Sequence, residues 1–182
     1  MSKPFINLLR LASISAALLF SAQSLAGKDD FNQKIELSSL YQQADGIAKK
    51  AFHEGNVIIK QGTLELKADE LEIDASAGDG KEIFIATGNP AQYSQQQEDG
   101  SIVTAKANRI EYQRETRALA LSGGAEIEQN ASSVKGESIV FNMELEQIIA
   151  QGDKKGSVPV ITTFQPVSND KNKIKKQQDK QP

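Results

Sequence analysis

The sequence has no cysteine and no tryptophan in 182 residues, a single histidine, five prolines and only 5% aromatic residues. Without cysteine there is no disulfide scaffold, so stability must come from burial and backbone pairing. The same absence rules out lipoprotein processing, which acylates a cysteine. His53 stands alone, so neither a histidine-based metal cluster nor a Ser/His/Asp triad has a motif to rest on. It reads as a surface or turn histidine. There is no glycine-rich phosphate loop, because the glycines fall at the ends of apolar runs with no helical pattern after them. A net charge of −3 argues against nucleic acid as a partner. No apolar run reaches the roughly 18 residues needed to span a bilayer.

What is present begins with a leader. Lys3 and Arg10 supply positive charge, Leu11 to Phe20 a short apolar core, and Ser24-Leu25-Ala26 a small-x-small site. Together they predict a secretory signal over residues 1–26, cleaved after Ala26 so that the mature chain starts at Gly27. Losing Lys3 and Arg10 leaves the mature chain more acidic, soluble and about one domain long. That domain is expected over residues 27–168. Residues 169–182 form a lysine-rich tail in which Ile174 is the only large apolar residue. Such a tail cannot bury enough to fold and is expected to be disordered, a solvated segment rather than a membrane contact.

Between about Lys34 and Val167 apolar residues fall at every second position in short runs, the period of strands. The clearest is Thr63 to Ala68 followed by Glu70 to Asp74, where Leu64, Leu66, Ala68 and then Leu71 and Ile73 share a face. Similar runs carry Ile83 and Ile85, Ala91 and Tyr93, Val103 to Ala107, Ile110 and Tyr112, Leu119 and Leu121, Ala125 and Ile127, and Ile139 to Met143. Gly78-Asp79-Gly80, Glu98-Asp99-Gly100-Ser101 and Ser122-Gly123-Gly124 read as turns. A short helix over Ser39 to Ala51 is the one other element the pattern allows.

The runs repeat. Gly55-Asn56-Val57, Gly88-Asn89-Pro90 and Gly124-Ala125-Glu126 each open a unit of glycine turn and alternating strands, at a period of roughly 33 to 36 residues. One unit cannot bury its apolar face alone, so units must roll around a shared interior. The expected fold is all-β, an open two-sheet roll of antiparallel strands. Its unpaired edges are either blunted, with Pro159 and Pro166 as candidate devices, or used to add another strand.

The carboxylate pairs Glu70/Glu72, Glu126/Glu128 and Glu144/Glu146 sit at i, i+2, which puts them on the solvent face and not in a catalytic cleft. No catalytic residue, metal or cofactor is expected. The inward face carries Ala68, Ala91, Ala105, Ala107 and Ala125, which leave room for an apolar groove unless larger neighbours fill it as a dry core. If it is a groove, Ile35, Leu37, Leu66, Ile73, Tyr93, Ile110, Tyr112 and Phe141 are the expected lipid contacts. An adaptor with a dry core that uses its strand edges for protein partners is the other reading. A polysaccharide-acting β-helix enzyme would need a longer chain and more repeats.

The stretch GNVIIKQGTLELKADELEI, the later GNPAQY and the repeated glycine units resemble the OstA-like family, along essentially the whole chain. The resemblance implies a slightly twisted, open β-jellyroll of about sixteen antiparallel strands. It also implies a lipopolysaccharide-binding transport protein of the periplasm, with acyl chains in the apolar interior. Copies would stack head to tail from the inner-membrane lipopolysaccharide transporter complex (LptC) to the outer-membrane translocon (LptD). Ile35 and Tyr93 match positions similar to the family's lipid-contacting ones. Gly123-Gly124-Ala125 departs from the family's Gly-Asn opening.

Overall fold

The computed structural model describes residues 30–164; the expected signal sequence, the lysine-rich tail and Pro166 lie outside the described residues. A 3-10 turn at Asp30–Asn32 precedes ten strands. They are β1 (Ile35–Ser38), β2 (Tyr41–Asp45), β3 (Lys50–Gln61), β4 (Leu64–Asp74), β5 (Ile83–Gln96), β6 (Ile102–Gln113), β7 (Ala118–Gln129), β8 (Ser132–Asn142), β9 (Gln147–Gln151) and β10 (Ile161–Thr163). All pairings are antiparallel, and strand order follows chain order from β3 to β8. The segment read as a possible helix is extended: Tyr41–Asp45 pairs with Lys50–Glu54 across a turn.

The roll is one hydrogen-bonded sheet with a crease across it. Each pairing from β3/β4 to β7/β8 shifts register near mid-strand, between Glu54 and Val57, Lys67 and Glu70, Thr87 and Ala91, Lys106 and Arg109, and Ser122 and Ala125. A bulge bends a strand, and bulges aligned on neighbouring strands bend the whole sheet. The crease divides six long strands into two leaves. One leaf carries Val57 to Gln61, Leu64 to Ala68 and their neighbours; the other carries Lys50 to Glu54, Glu70 to Asp74 and theirs. At one end β1 and β2 pair with the two halves of β3, and at the other β10 and β9 pair with the two halves of β8. Counted by halves, these strands give the sixteen that the family resemblance implies.

The crease corrects the reading of the repeat glycines. Gly55, Gly88 and Gly124 lie within β3, β5 and β7, at bulges rather than turns. Gly123 has φ +80, and a Cβ there would sit 2.9 Å from Asn108 Nδ2. Ser122-Gly123-Gly124 is therefore the bulge of β7, whereas Gly78-Asp79-Gly80 and Glu98 to Ser101 do connect strands.

The apolar residues of both leaves form one buried cluster. Leu66, Ala91, Tyr93 and Ala105 come from one leaf, Leu71, Ile110, Leu119 and Ile139 from the other. Burying each large aliphatic is worth about 1.5–3 kcal/mol, enough to hold the leaves together without disulfides. In β5 the inward residues are Phe84 and Ala86, while Ile83 and Ile85 are only partly buried.

Candidate functional site

The interior is the candidate site, because it is where both leaves present their side chains. Leu66, Tyr93, Ile110, Tyr112 and Phe141 are buried in the common cluster, and Ile35, Leu37 and Ile73 are half-buried against it. All eight residues read from sequence are thus brought to one interior. Alternation is the reason: each lies in phase with the buried residues of its own half-strand or, for Ile35 and Leu37 in β1, directly opposite the buried Gln61 and Ile59 of β3. Phe84 stacks on Tyr112 with ring centroids 6.1 Å apart. A slot between the leaves, lined by Ile35, Ile59, Leu66, Phe84, Tyr93 and Tyr112, has a volume of about 10 Å³. That is at the limit for one water. At this slot the leaves are closed on each other.

Polar residues that the sequence reading missed gather where the slot meets solvent. Gln61, Gln95 and Asp30 are each at least nine-tenths buried. Gln61 Nε2 donates to the carbonyls of Phe31 at 3.1 Å and Gln33 at 3.0 Å. Asp30 accepts from the Thr63 amide at 2.9 Å, the Thr63 hydroxyl, and Gln95 Nε2 at 3.1 Å. Tyr93 Oη donates to Gln95 Oε1 at 2.5 Å. Burial pushes the Tyr93 hydroxyl pKa up, and burial raises that of Tyr112 to about 12, so both stay protonated. The glutamines were visible in principle: Val57, Ile59, Gln61 and Ala91, Tyr93, Gln95 are in phase. Asp30 precedes the repeats and carries no such signal.

Two further side chains differ from expectation. His53, read as a surface or turn residue, is buried in β3 with Nδ1 3.1 Å from Ser39 Oγ, and burial lowers its pKa. Glu126 keeps the outer face that alternation gives it but is buried there, between Lys106 at 2.8 Å and Lys135 at 2.7 Å. Those lysines are its cross-strand neighbours on β6 and β8. Burial opposes ionisation of Glu126, but hydrogen bonds from the two lysines prevail and hold its pKa down at about 2. Glu70, Glu72 and Glu128 are exposed, as alternation requires. Among the described residues no cluster of His, Asp or Glu could hold a metal ion.

A family model described as "LptA/(LptD N-terminal domain) LPS transport protein" matches residues 36–147, from β1 to the first residue of β9. The chain belongs to this family. The LptA-type lipopolysaccharide transport family is one of transport proteins, not enzymes, and its members include close counterparts in length. The lipopolysaccharide export system protein LptA of Haemophilus influenzae is 30% identical over 154 residues, 84% of this chain and 90% of its own. LptA of Escherichia coli K12 is 29% identical over 173 residues, 94% and 92% of the two chains. The crystal structure of Pseudomonas aeruginosa LptH, described as the LptA-homologous periplasmic component of the lipopolysaccharide transport device, superposes with a TM-score of 0.69. It is 22% identical and covers 76% of this chain and 99% of its own. The open β-jellyroll expected from sequence is the fold of this LptA-type chain.

Proposed function

We propose that the mature chain, cut after Ala26, carries lipopolysaccharide through the periplasm with the acyl chains between the two leaves. The observation that carries this reading is a single apolar interior shared by both leaves, in a member of a lipopolysaccharide transport family. Ile35, Leu37, Leu66, Ile73, Tyr93, Ile110, Tyr112 and Phe141 are the proposed acyl contacts. Burying acyl methylenes is worth about 0.8 kcal/mol each, so several chains hold a lipid without charged pairing. Because the slot is nearly closed, loading requires the leaves to part, and the aligned bulges are the natural line for that bending. Copies stack head to tail by pairing the open edge of β1 and β2 with that of β9 and β10, and the same edges meet LptC at the inner-membrane complex and LptD at the translocon.

The test is a photo-crosslinking amino acid at Ile35, Tyr93 or Phe141, against outward controls at Glu72 and Glu128, in cells making lipopolysaccharide. Labelling confined to the inward positions is expected. Equal labelling of both sets, or of neither, would show a closed core and an adaptor rather than a carrier.

A further inference from the structure

The turn Asp30–Asn32 and the residue after it lie across the mouth of the roll and touch both leaves. Asp30 is held by Thr63 and Gln95 of one leaf. Phe31 lies under the Arg117 guanidinium, 4.3 Å from its ring centroid, in the turn between β6 and β7 of the other. Gly62 makes room for this strap: a Cβ there would fall 2.0 Å from Asp30 Oδ1. The slot lined by Gln61, which holds the strap's carbonyls, also contains a buried group without a partner. Tyr112 Oη makes no hydrogen bond to any described residue. A buried hydroxyl left without a partner is destabilising, and phenylalanine would fill the same space without that penalty. Tyr93 Oη is joined through Gln95 to Asp30, and Tyr112 lines the same slot as Tyr93 and Gln61.

We propose that the strap is displaced when lipid enters and that the donors it covers form a subsite for neutral acceptor oxygens at the acyl linkages. Thr63 and Gln95 exchange the Asp30 carboxylate for an amide or ester carbonyl, and Tyr112 gains the acceptor it lacks. The linkage is the part of a lipid that sits where an apolar slot meets water. Phosphate is disfavoured, because the adjoining hollow of about 380 Å³ is lined by Glu98, Asp99, Glu144 and Glu146, with Arg117 its only cationic lining residue. This subsite rests on the carrier reading above, and the experiment separates the two.

Tyr112→Phe is loaded with lipopolysaccharide or with an alkyl maltoside that has no carbonyl linkage, and release is followed. The variant should melt at or above the wild-type temperature. Yet it should release lipopolysaccharide about five-fold faster, the loss of one hydrogen bond, with maltoside release unchanged. Unchanged lipopolysaccharide release, or equal acceleration for both amphiphiles, overturns the subsite. Wild-type protein that loads neither amphiphile overturns the carrier reading and the subsite with it. For the strap, Phe31→Cys with Arg117→Cys is bridged by a cleavable bismaleimide, unambiguous in a chain without native cysteine. Loading should stop when the bridge is in place and return when it is cut. Bridged protein that loads as fast as the unbridged double variant shows that the strap does not move.

Discussion

Glu126 shows how a side chain on the outer face can still be buried. Alternation puts it outward, yet the lysines on both neighbouring strands close over it, and it becomes a buried anion with two donors. Its pKa is about 2 in the fold against 4.5 for an unperturbed glutamate. A depressed acid stabilises the fold fully above the unfolded value and loses that contribution as pH falls from about 4.5 toward 2. Because both lysines are half exposed, solvent screening limits the effect. Glu126→Gln should cost about 1–2 kcal/mol at pH 7. Urea unfolding across pH should show the two stability curves converging in that acid window. A constant offset down to pH 2 would mean that packing, not charge, sets the difference. The residue scale is also where the sequence was least legible. Asp30, Gln61, Gln95 and Tyr112 take their roles from contacts across the mouth, which no local pattern announces.

At the scale of elements, the strands were legible because each apolar run keeps a strict period of two. The crease was written there as well, as a change of phase: Leu64, Leu66 and Ala68 are even, Leu71 and Ile73 odd, and the register shift between Lys67 and Glu70 is where the phase turns over. Reading the repeat glycines as turns missed this, since positive φ serves a bulge as well as a turn. Long-range pairing decided between them. The Ser39 to Ala51 segment was ambiguous for a related reason: β2 is exposed throughout, so it has no buried stripe of either period. The crease glycines should be the sensitive ones. Gly123→Ala adds a Cβ against Asn108 at φ +80 and should cost about 1–2 kcal/mol, whereas Gly46→Ala, with nothing within 4 Å, should be near neutral. Thermal melts of the two variants give the comparison, and equal melting temperatures would remove the crease argument.

At the scale of the molecule, both ends of the sheet are open, and each carries exposed apolar side chains. Leu40 and Tyr41 stand at one end, Ile149, Ile161 and Phe164 at the other. Deleting residues 158–182 removes β10 while leaving the creased sheet from β1 to β9. The truncated protein should remain folded by circular dichroism and stay monomeric by light scattering at concentrations where the full mature chain forms oligomers. Oligomers that persist in the truncated form would place association on another surface. Export makes a further molecular statement: the intact mass of secreted protein should correspond to a chain beginning at Gly27, and recovery of residues 1–26 in a membrane fraction would contradict a free periplasmic carrier.

Strand order that follows chain order has a consequence for how this molecule comes apart. Every row of the sheet is zipped only to the rows beside it, so an interior row is held by two seams and a terminal row by one. Fraying should therefore start at β1, β2, β9 and β10 and travel inward, with amide exchange slowest in β5 and β6. A second copy seated on an edge turns a terminal row into an interior one. The melting temperature should then climb with protein concentration, and the copies at the middle of a filament should be the last to unzip.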